Sequence, residues 1–281
     1  MLMFSYLCAL MKNLLRFSFF PLTAVLIFTA SCNQYQQVVK SDDYYLKLAK
    51  AKEYYEKGLY YKAQPLFEEL LSFFKGTNVM QDVLYYYAYC HYQTGEYLIA
   101  SYHFKNFATT YPNDPRAEEC LFMSAKCYYE VSPSYMLEQG YTHDCIDAAQ
   151  LFANTYPNST YLNDANKMVD EMRSKLEEKA FYSANLYYKM EKYKAARVAF
   201  QNLLRDYPDS PHAEYVMFLI LKSDYLYAVN SVVSKQPERY ETAINTYQNF
   251  TNKYNNSLYQ SQAKNIYEAS VKNLSKIKPN E

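Results

Sequence analysis

One short phrase recurs along the chain and limits what it can fold into. Residues 108–114 read Ala-Thr-Thr-Tyr-Pro-Asn-Asp, and 153–159 read Ala-Asn-Thr-Tyr-Pro-Asn-Ser. Residues 204–210 read Leu-Arg-Asp-Tyr-Pro-Asp-Ser, and 251–257 Thr-Asn-Lys-Tyr-Asn-Asn-Ser. Each phrase closes a stretch of helical apolar spacing with an aromatic and then stops it, three times with proline, which cannot continue a helix. The Asn, Asp and Ser residues that follow are the side chains that cap a new helix. Such self-similarity marks stacked helical hairpins, none of which buries its apolar face alone.

Counting back from each stop produces a pattern that resembles helix B of the tetratricopeptide repeat. Tyr97, Ala100, Phe104, Phe107 and Pro112 match it, as do Tyr193, Ala196, Phe200, Leu203 and Pro208. So do Tyr240, Ala243, Tyr247, Phe250 and Asn255. A first copy is Tyr60, Ala63, Phe67 and Leu70, with Lys75 at the stop; a third is Thr142, Cys145, Ala149, Phe152 and Pro157. On helix A the small position is Ala51, Ala88, Ala125 and Ala184, followed three residues later by Tyr54, His91, Tyr128 and Tyr187 on the same face. The stops at 75, 112, 157, 208 and 255 lie 37, 45, 51 and 47 residues apart. The usual repeat is about 34 residues, so repeats three to five must hold longer helices or loops, such as Val131–Gln139. The expected fold is an all-α, right-handed tetratricopeptide solenoid of about five helical pairs, with 257–276 as a capping helix.

The N-terminus reads as an address. Met1 to Ala30 carries Lys12 and Arg16 and no acid, and an apolar run, Phe17 to Phe28, leads to small residues. That run is too short to span a bilayer and contains Pro21. Met1 or Met11 serves as the start. The small residues Thr29, Ala30 and Ser31 before Cys32 resemble a bacterial lipobox, which implies an acylated (palmitate-bearing) Cys32 at a new N-terminus. Asn33 and the lack of a following acidic run resemble sorting to the outer membrane, with the body facing the periplasm. The expected organisation is a signal peptide over 1–31, a lipidated tether over 32–41, repeats one to three over 42–158, and repeats four and five with the cap over 159–281.

Composition removes several classes. Only four glycines leave little for a glycine-rich nucleotide fold, a propeller or a turn-dense sandwich. Cations and acids balance at 29 each, so no basic excess is available to neutralise nucleic-acid phosphates. No P-loop, HExxH or GxSxG occurs. His143, Asp144 and Cys145 are consecutive on a helix start and so point to different faces. Cys90, Cys120, Cys127 and Cys145 have no metal-ligand spacing and read as buried thiols. No catalytic residue, cofactor or metal is expected.

A lipoprotein signal followed by five tetratricopeptide repeats with extended later members and junctions of the Tyr-Pro-Asp-Ser-Pro type resembles the BamD (YfiO) family of the outer-membrane β-barrel assembly machine. The resemblance covers about 32–276. It implies a non-enzymatic outer-membrane lipoprotein that binds a BamA-type insertase through its later repeats, and C-terminal segments of unfolded outer-membrane proteins through its early ones. Other lipoproteins of the complex are further possible partners. Two other classes of tetratricopeptide protein offer alternatives: a periplasmic coordinator of the CpoB type, which usually carries a coiled coil, and a glycan-binding lipoprotein of the SusD type, which stacks sugars on Trp. Trp is absent here.

The helix-A pattern turns a further set of side chains toward the concave groove. They are Leu48, Lys52 and Tyr55 in repeat one, Tyr85, Tyr89 and Tyr92 in repeat two, and Phe122, Lys126 and Tyr129 in repeat three. Such an aromatic ladder with interspersed cations suits an extended peptide ending in an aromatic residue with a free carboxylate. The same ladder also arises if a Tyr-rich chain fills its own groove.

Overall fold

In a computed structural model, residues 34–277 are described; the signal segment and Cys32 lie outside them. The helices are α1 (Tyr44–Glu56), α2 (Tyr60–Phe73), α3 (Val79–Gln93), α4 (Tyr97–Thr110), α5 (Ala117–Val131), α6 (Gly140–Thr155), α7 (Leu162–Lys189), α8 (Tyr193–Asp206), α9 (Ala213–Val229), α10 (Gln236–Lys253) and α11 (Gln260–Ile277). These are five helical pairs and a capping helix, with no strand among the described residues. The expected all-α tetratricopeptide class is the one observed. The surplus length of the later repeats lies in the 28-residue α7 and the loop 132–139.

Helices meet where the side chain is smallest. Ala51, Ala88, Ala125 and Ala184 on the A helices are completely buried, as are Ala63, Ala100, Ala196 and Ala243 on the B helices. Without side-chain bulk there, backbones approach closely enough for Phe67, Phe104, Phe107, Phe152, Phe200 and Phe250, all fully buried, to fill the remaining space. Burying each such ring contributes roughly 1.5–3 kcal/mol.

The chain forms two compact units. In the first, built from the described residues up to Val131 together with Asp147–Asn166, α1 to α5 stack in chain order and α1 also touches α3. Residues 34–39, expected as a polar tether, are helical instead. The reason is a short apolar edge: Val38 is 6% exposed in the core of repeat one, and the Tyr35 ring lies edge-on to Tyr54 at 5.7 Å. Ser101 Oγ donates to the Ser124 carbonyl at 3.0 Å, which satisfies both groups between α4 and α5.

In the second unit, Ser132–Ile146 with Lys167 onward, α8 to α11 stack in order and α9 also touches α11. Asp224, buried on α9, pairs with Arg197 of α8 at 2.9 Å and accepts from Thr246 of α10 at 2.7 Å, pinning three helices together. The loop 132–139 is tied to α7. Lys175 donates to Ser132 Oγ at 2.7 Å, Lys179 to the Leu137 carbonyl at 2.7 Å, and Tyr135 stacks on Tyr182 at 4.8 Å.

Cys90, Cys120, Cys127 and Cys145 are buried free thiols. Burial pushes Cys90 and Cys127 up to about 12 and Cys145 up to about 11, so none is a ready nucleophile. His143 and Asp144 are exposed while Cys145 is buried, so the three do not converge.

The turn from helix A to helix B passes through a left-handed residue. It is Gly58 (φ 70°) in repeat one and Gly95 (φ 81°) in repeat two, but Glu191 (φ 59°) in repeat four. A side chain in that conformation is strained by roughly 1–2 kcal/mol. Glu191→Gly is therefore expected to stabilise the protein by about 1 kcal/mol, read as a higher urea midpoint at unchanged slope. A midpoint that falls would contradict the strain.

Burial, with a smaller contribution from the charge of His91, pushes His103 down to about 4. Its Nδ1 is buried without a hydrogen-bond partner among the described residues. The unfolded chain binds this proton near the ordinary value of about 6.5, so the contribution to stability is complete above that pH and is lost as pH falls toward 4. Denaturant midpoints between pH 7 and 4 should decline, and His103→Gln should flatten the decline.

Candidate peptide groove

The nine groove positions lie on α1, α3 and α5 at a strict 37-residue offset: 48, 85 and 122; 52, 89 and 126; 55, 92 and 129. Within each helix they are three or four residues apart and so share one face. All nine belong to the first unit.

Their surroundings differ row by row. Leu48 packs onto the core of repeat one. Phe122 is 7% exposed, its ring stacked on Tyr161 at 4.9 Å and edge-on to Phe152 at 5.6 Å, so it belongs more to the core than to an open surface. Tyr55, Tyr85, Tyr89, Tyr92 and Tyr129 are half-buried. Tyr55 meets Tyr86 edge-on at 5.0 Å, Tyr85 meets Tyr89 at 4.9 Å, and Tyr92 meets Tyr97 at 5.3 Å. Edge-to-face contacts of this kind hold rings upright and leave a corrugated aromatic wall.

Three of the polar tips are engaged by acids in the first turn of an A helix. The Tyr85 hydroxyl donates to Glu119 at 3.2 Å, and the Tyr89 hydroxyl donates to the same carboxylate. Burial first, and then the Glu119 charge, raises both phenols well above their ordinary range, so they stay protonated donors. Lys52 pairs with Asp82 at 2.6 Å. Arg116 reaches the other Asp82 oxygen at 2.8 Å, holds Asp114 through two nitrogens at 2.9 and 2.8 Å, and lies over the Tyr85 ring at 5.0 Å. Burial alone would raise the Asp82 carboxyl, but the hydrogen bonds from Lys52 and Arg116 outweigh it and hold it below the usual carboxylate value. Burial, reinforced by Glu130, pushes Tyr92 up to about 12.

Asp82, Arg116 and Glu119 were not among the positions expected from sequence. Two of them were within reach, because Tyr45, Asp82 and Glu119 repeat the 37-residue offset one row earlier.

The second unit carries a different surface. A cavity of about 780 Å³ is lined by Tyr187, Tyr193, Val198, Ala199 and Tyr227, with the strained Glu191 at its edge. Tyr187, expected in the core, is 45% exposed. The core stripe of α7 runs from Ala184 to Tyr188, one residue further on, and turns Tyr187 outward. Leu186, Met190 and Val198 add exposed apolar surface on α7, the turn after it and α8.

No helix among the described residues is long and apolar enough to cross a membrane, and no group of three or more metal-ligating side chains is assembled there. In comparison with known proteins, the chain is similar to the outer membrane protein assembly factor BamD of Caulobacter vibrioides. The two are 24% identical over 135 residues, covering 48% of this chain and 44% of that protein, so the match spans less than half of its length. Among solved structures, the TPR2AB-domain:pHSP90 complex of yeast Sti1 aligns with a TM-score of 0.36 and 13% identity, over 80% of this chain and 97% of that one. The family model described as YfiO, outer membrane lipoprotein, matches residues 40–209 and again 181–276, nearly all of the described helices. The chain belongs to the YfiO family of outer membrane lipoproteins.

Proposed function

We propose that this protein is a non-enzymatic component of outer-membrane β-barrel assembly. It is anchored by lipid on Cys32 and faces the periplasm. The groove of repeats one to three, within 42–158, receives extended C-terminal segments of unfolded outer-membrane proteins. The later repeats and α11, within 159–276, dock a BamA-type insertase. The observation that carries this reading is the family match across both parts of the repeat array, supported by the similarity to a named assembly factor.

The chemistry of each surface supports its assigned role. In the groove, half-buried tyrosine rings offer faces and edges to an aromatic side chain, while hydroxyls held on Glu119 keep those rings in place. A preformed wall lowers the ordering cost of binding. In the second unit, an open apolar cavity beside exposed Leu186, Met190 and Val198 is the kind of patch that a partner protein covers.

The groove is tested by titrating the full-length chain with a synthetic peptide from the C-terminal strand of a barrel. Tyr92→Ala should weaken binding by roughly 1–3 kcal/mol if Tyr92 is a hot spot. Phe104→Ala, in the fully buried layer, should instead destabilise the fold by roughly 3–5 kcal/mol. Peptide binding by wild type that Tyr92→Ala leaves untouched would remove this wall from the site.

Docking is tested by recovery of the insertase from solubilised membranes. Val198→Glu, at an exposed position, should reduce recovery without lowering thermal stability. Full recovery would place the insertase elsewhere on the chain. Labelled fatty acid should enter wild type but not Cys32→Ser, and its failure to enter wild type would refute the anchor.

A further inference from the structure

The groove has a direction, and one lysine sets it. The inference rests on the peptide-groove reading and refines it. Each repeat contributes an A helix with the same succession of rows, and the repeats interlock through them. The Lys52-row side chain of one repeat reaches the acid at the start of the next A helix. In repeat one, Lys52 pairs with Asp82. In repeat two, Tyr89 occupies the equivalent row and donates to Glu119. In repeat three the row is filled by Lys126. There the 37-residue spacing is broken by the loop 132–139 and by the long α7.

Lys126 is half-buried and, among the described residues, has neither an ion pair nor a hydrogen bond. Glu130, one turn further along α5, is exposed, and its charge is felt by Tyr92 and Cys127. Hydrogen bonds from Tyr85 and Tyr89 set Glu119 and the first turn of α5 against α3, and Glu130 lies three turns further along the same helix face. Lys126 therefore stands between the two, with Phe122 and Tyr129 on its own helix face.

The other groove cations are occupied. Engaging Lys52 or Arg116 means releasing Asp82, and for Arg116 also the two-point contact with Asp114. Engaging Lys126 breaks no ion pair or hydrogen bond among the described residues.

We infer that the free α-carboxylate of a bound segment seats on the Lys126 ammonium. The terminal aromatic ring lies against Tyr92 and Tyr129, and the rest of the peptide runs from repeat three toward repeat one. Lys52 is a structural tie between repeats and takes no part in reading the terminus.

The test uses the full-length chain and two synthetic peptides, a barrel C-terminal strand ending in phenylalanine and its C-terminal amide, titrated by fluorescence anisotropy. Wild type should prefer the free acid by on the order of tenfold, a hydrogen-bonded charge pair at a partly screened site, and the preference should shrink at high salt. Lys126→Gln should bind both peptides as wild type binds the amide, and Lys126→Arg should restore the preference. Lys52→Gln should keep the preference. Thermal melts of each variant separate loss of binding from loss of fold. A Lys126→Gln protein that still prefers the free acid, or a Lys52→Gln protein that no longer does, overturns the assignment. Equal wild-type binding of both peptides leaves the groove reading intact and overturns this inference. No binding of either peptide overturns the groove reading, and this inference with it.

Discussion

Everything in this fold depends on pairs of helices touching through alanine. Fully buried methyl groups at Ala51, Ala88, Ala125 and Ala184 on the A helices, and at Ala63, Ala100 and Ala196 on the B helices, let two backbones approach closely. That spacing decides whether a phenylalanine one turn away is buried without a void. Close packing transmits the constraint, because an interior at crystal-like density has little room to absorb even one extra methylene. Within the first unit the same contact, repeated, keeps α1, α3 and α5 in one rotational register, which turns a local pattern into aligned rows.

Register then determines the chemistry. With α1, α3 and α5 in phase, Asp82 and Glu119 face the preceding repeat, and each acid meets whatever that repeat presents. A partly exposed ion pair such as Lys52 with Asp82 adds little to stability, typically 0–1 kcal/mol. Its consequence lies elsewhere: it removes a cation from the groove. The hydroxyls of Tyr85 and Tyr89 are likewise committed to Glu119, so of these two side chains the ring surface remains. The ladder is thus partly filled by its own chain and partly open, and the division follows which groups found a partner in the next repeat.

The second unit shows what happens when the period lengthens. The 28-residue α7 is nearly twice as long as α3 and α5, at 15 residues each, and the loop 132–139 is fastened to it through lysines bound to carbonyl and hydroxyl oxygens. At its far end, the turn that takes glycine in repeats one and two takes Glu191 at positive φ. A strained residue at the edge of an open apolar cavity is where a stable scaffold gives up some stability, and such positions concentrate at functional surfaces.

Much of this was legible in the residues. The Tyr-Pro stops, the buried alanines and the helix-B phenylalanines follow from spacing alone, because helical periodicity and the exclusion of proline are local properties of the chain. The 37-residue spacing of the nine expected groove positions, and the face they share on each A helix, were legible for the same reason. Tertiary structure alone decided their state. Lys52 and Lys126 look alike in sequence, yet one meets Asp82, thirty residues on, while the other meets no acid among the described residues, since pairing depends on which side chains the next repeat brings within about 3 Å. Phe122 became core because Tyr161 covers it, and Tyr187 turned outward because the α7 stripe passes through Tyr188. Local spacing determines which face of a helix a residue occupies; only packing between repeats determines whether that face is covered, paired or free.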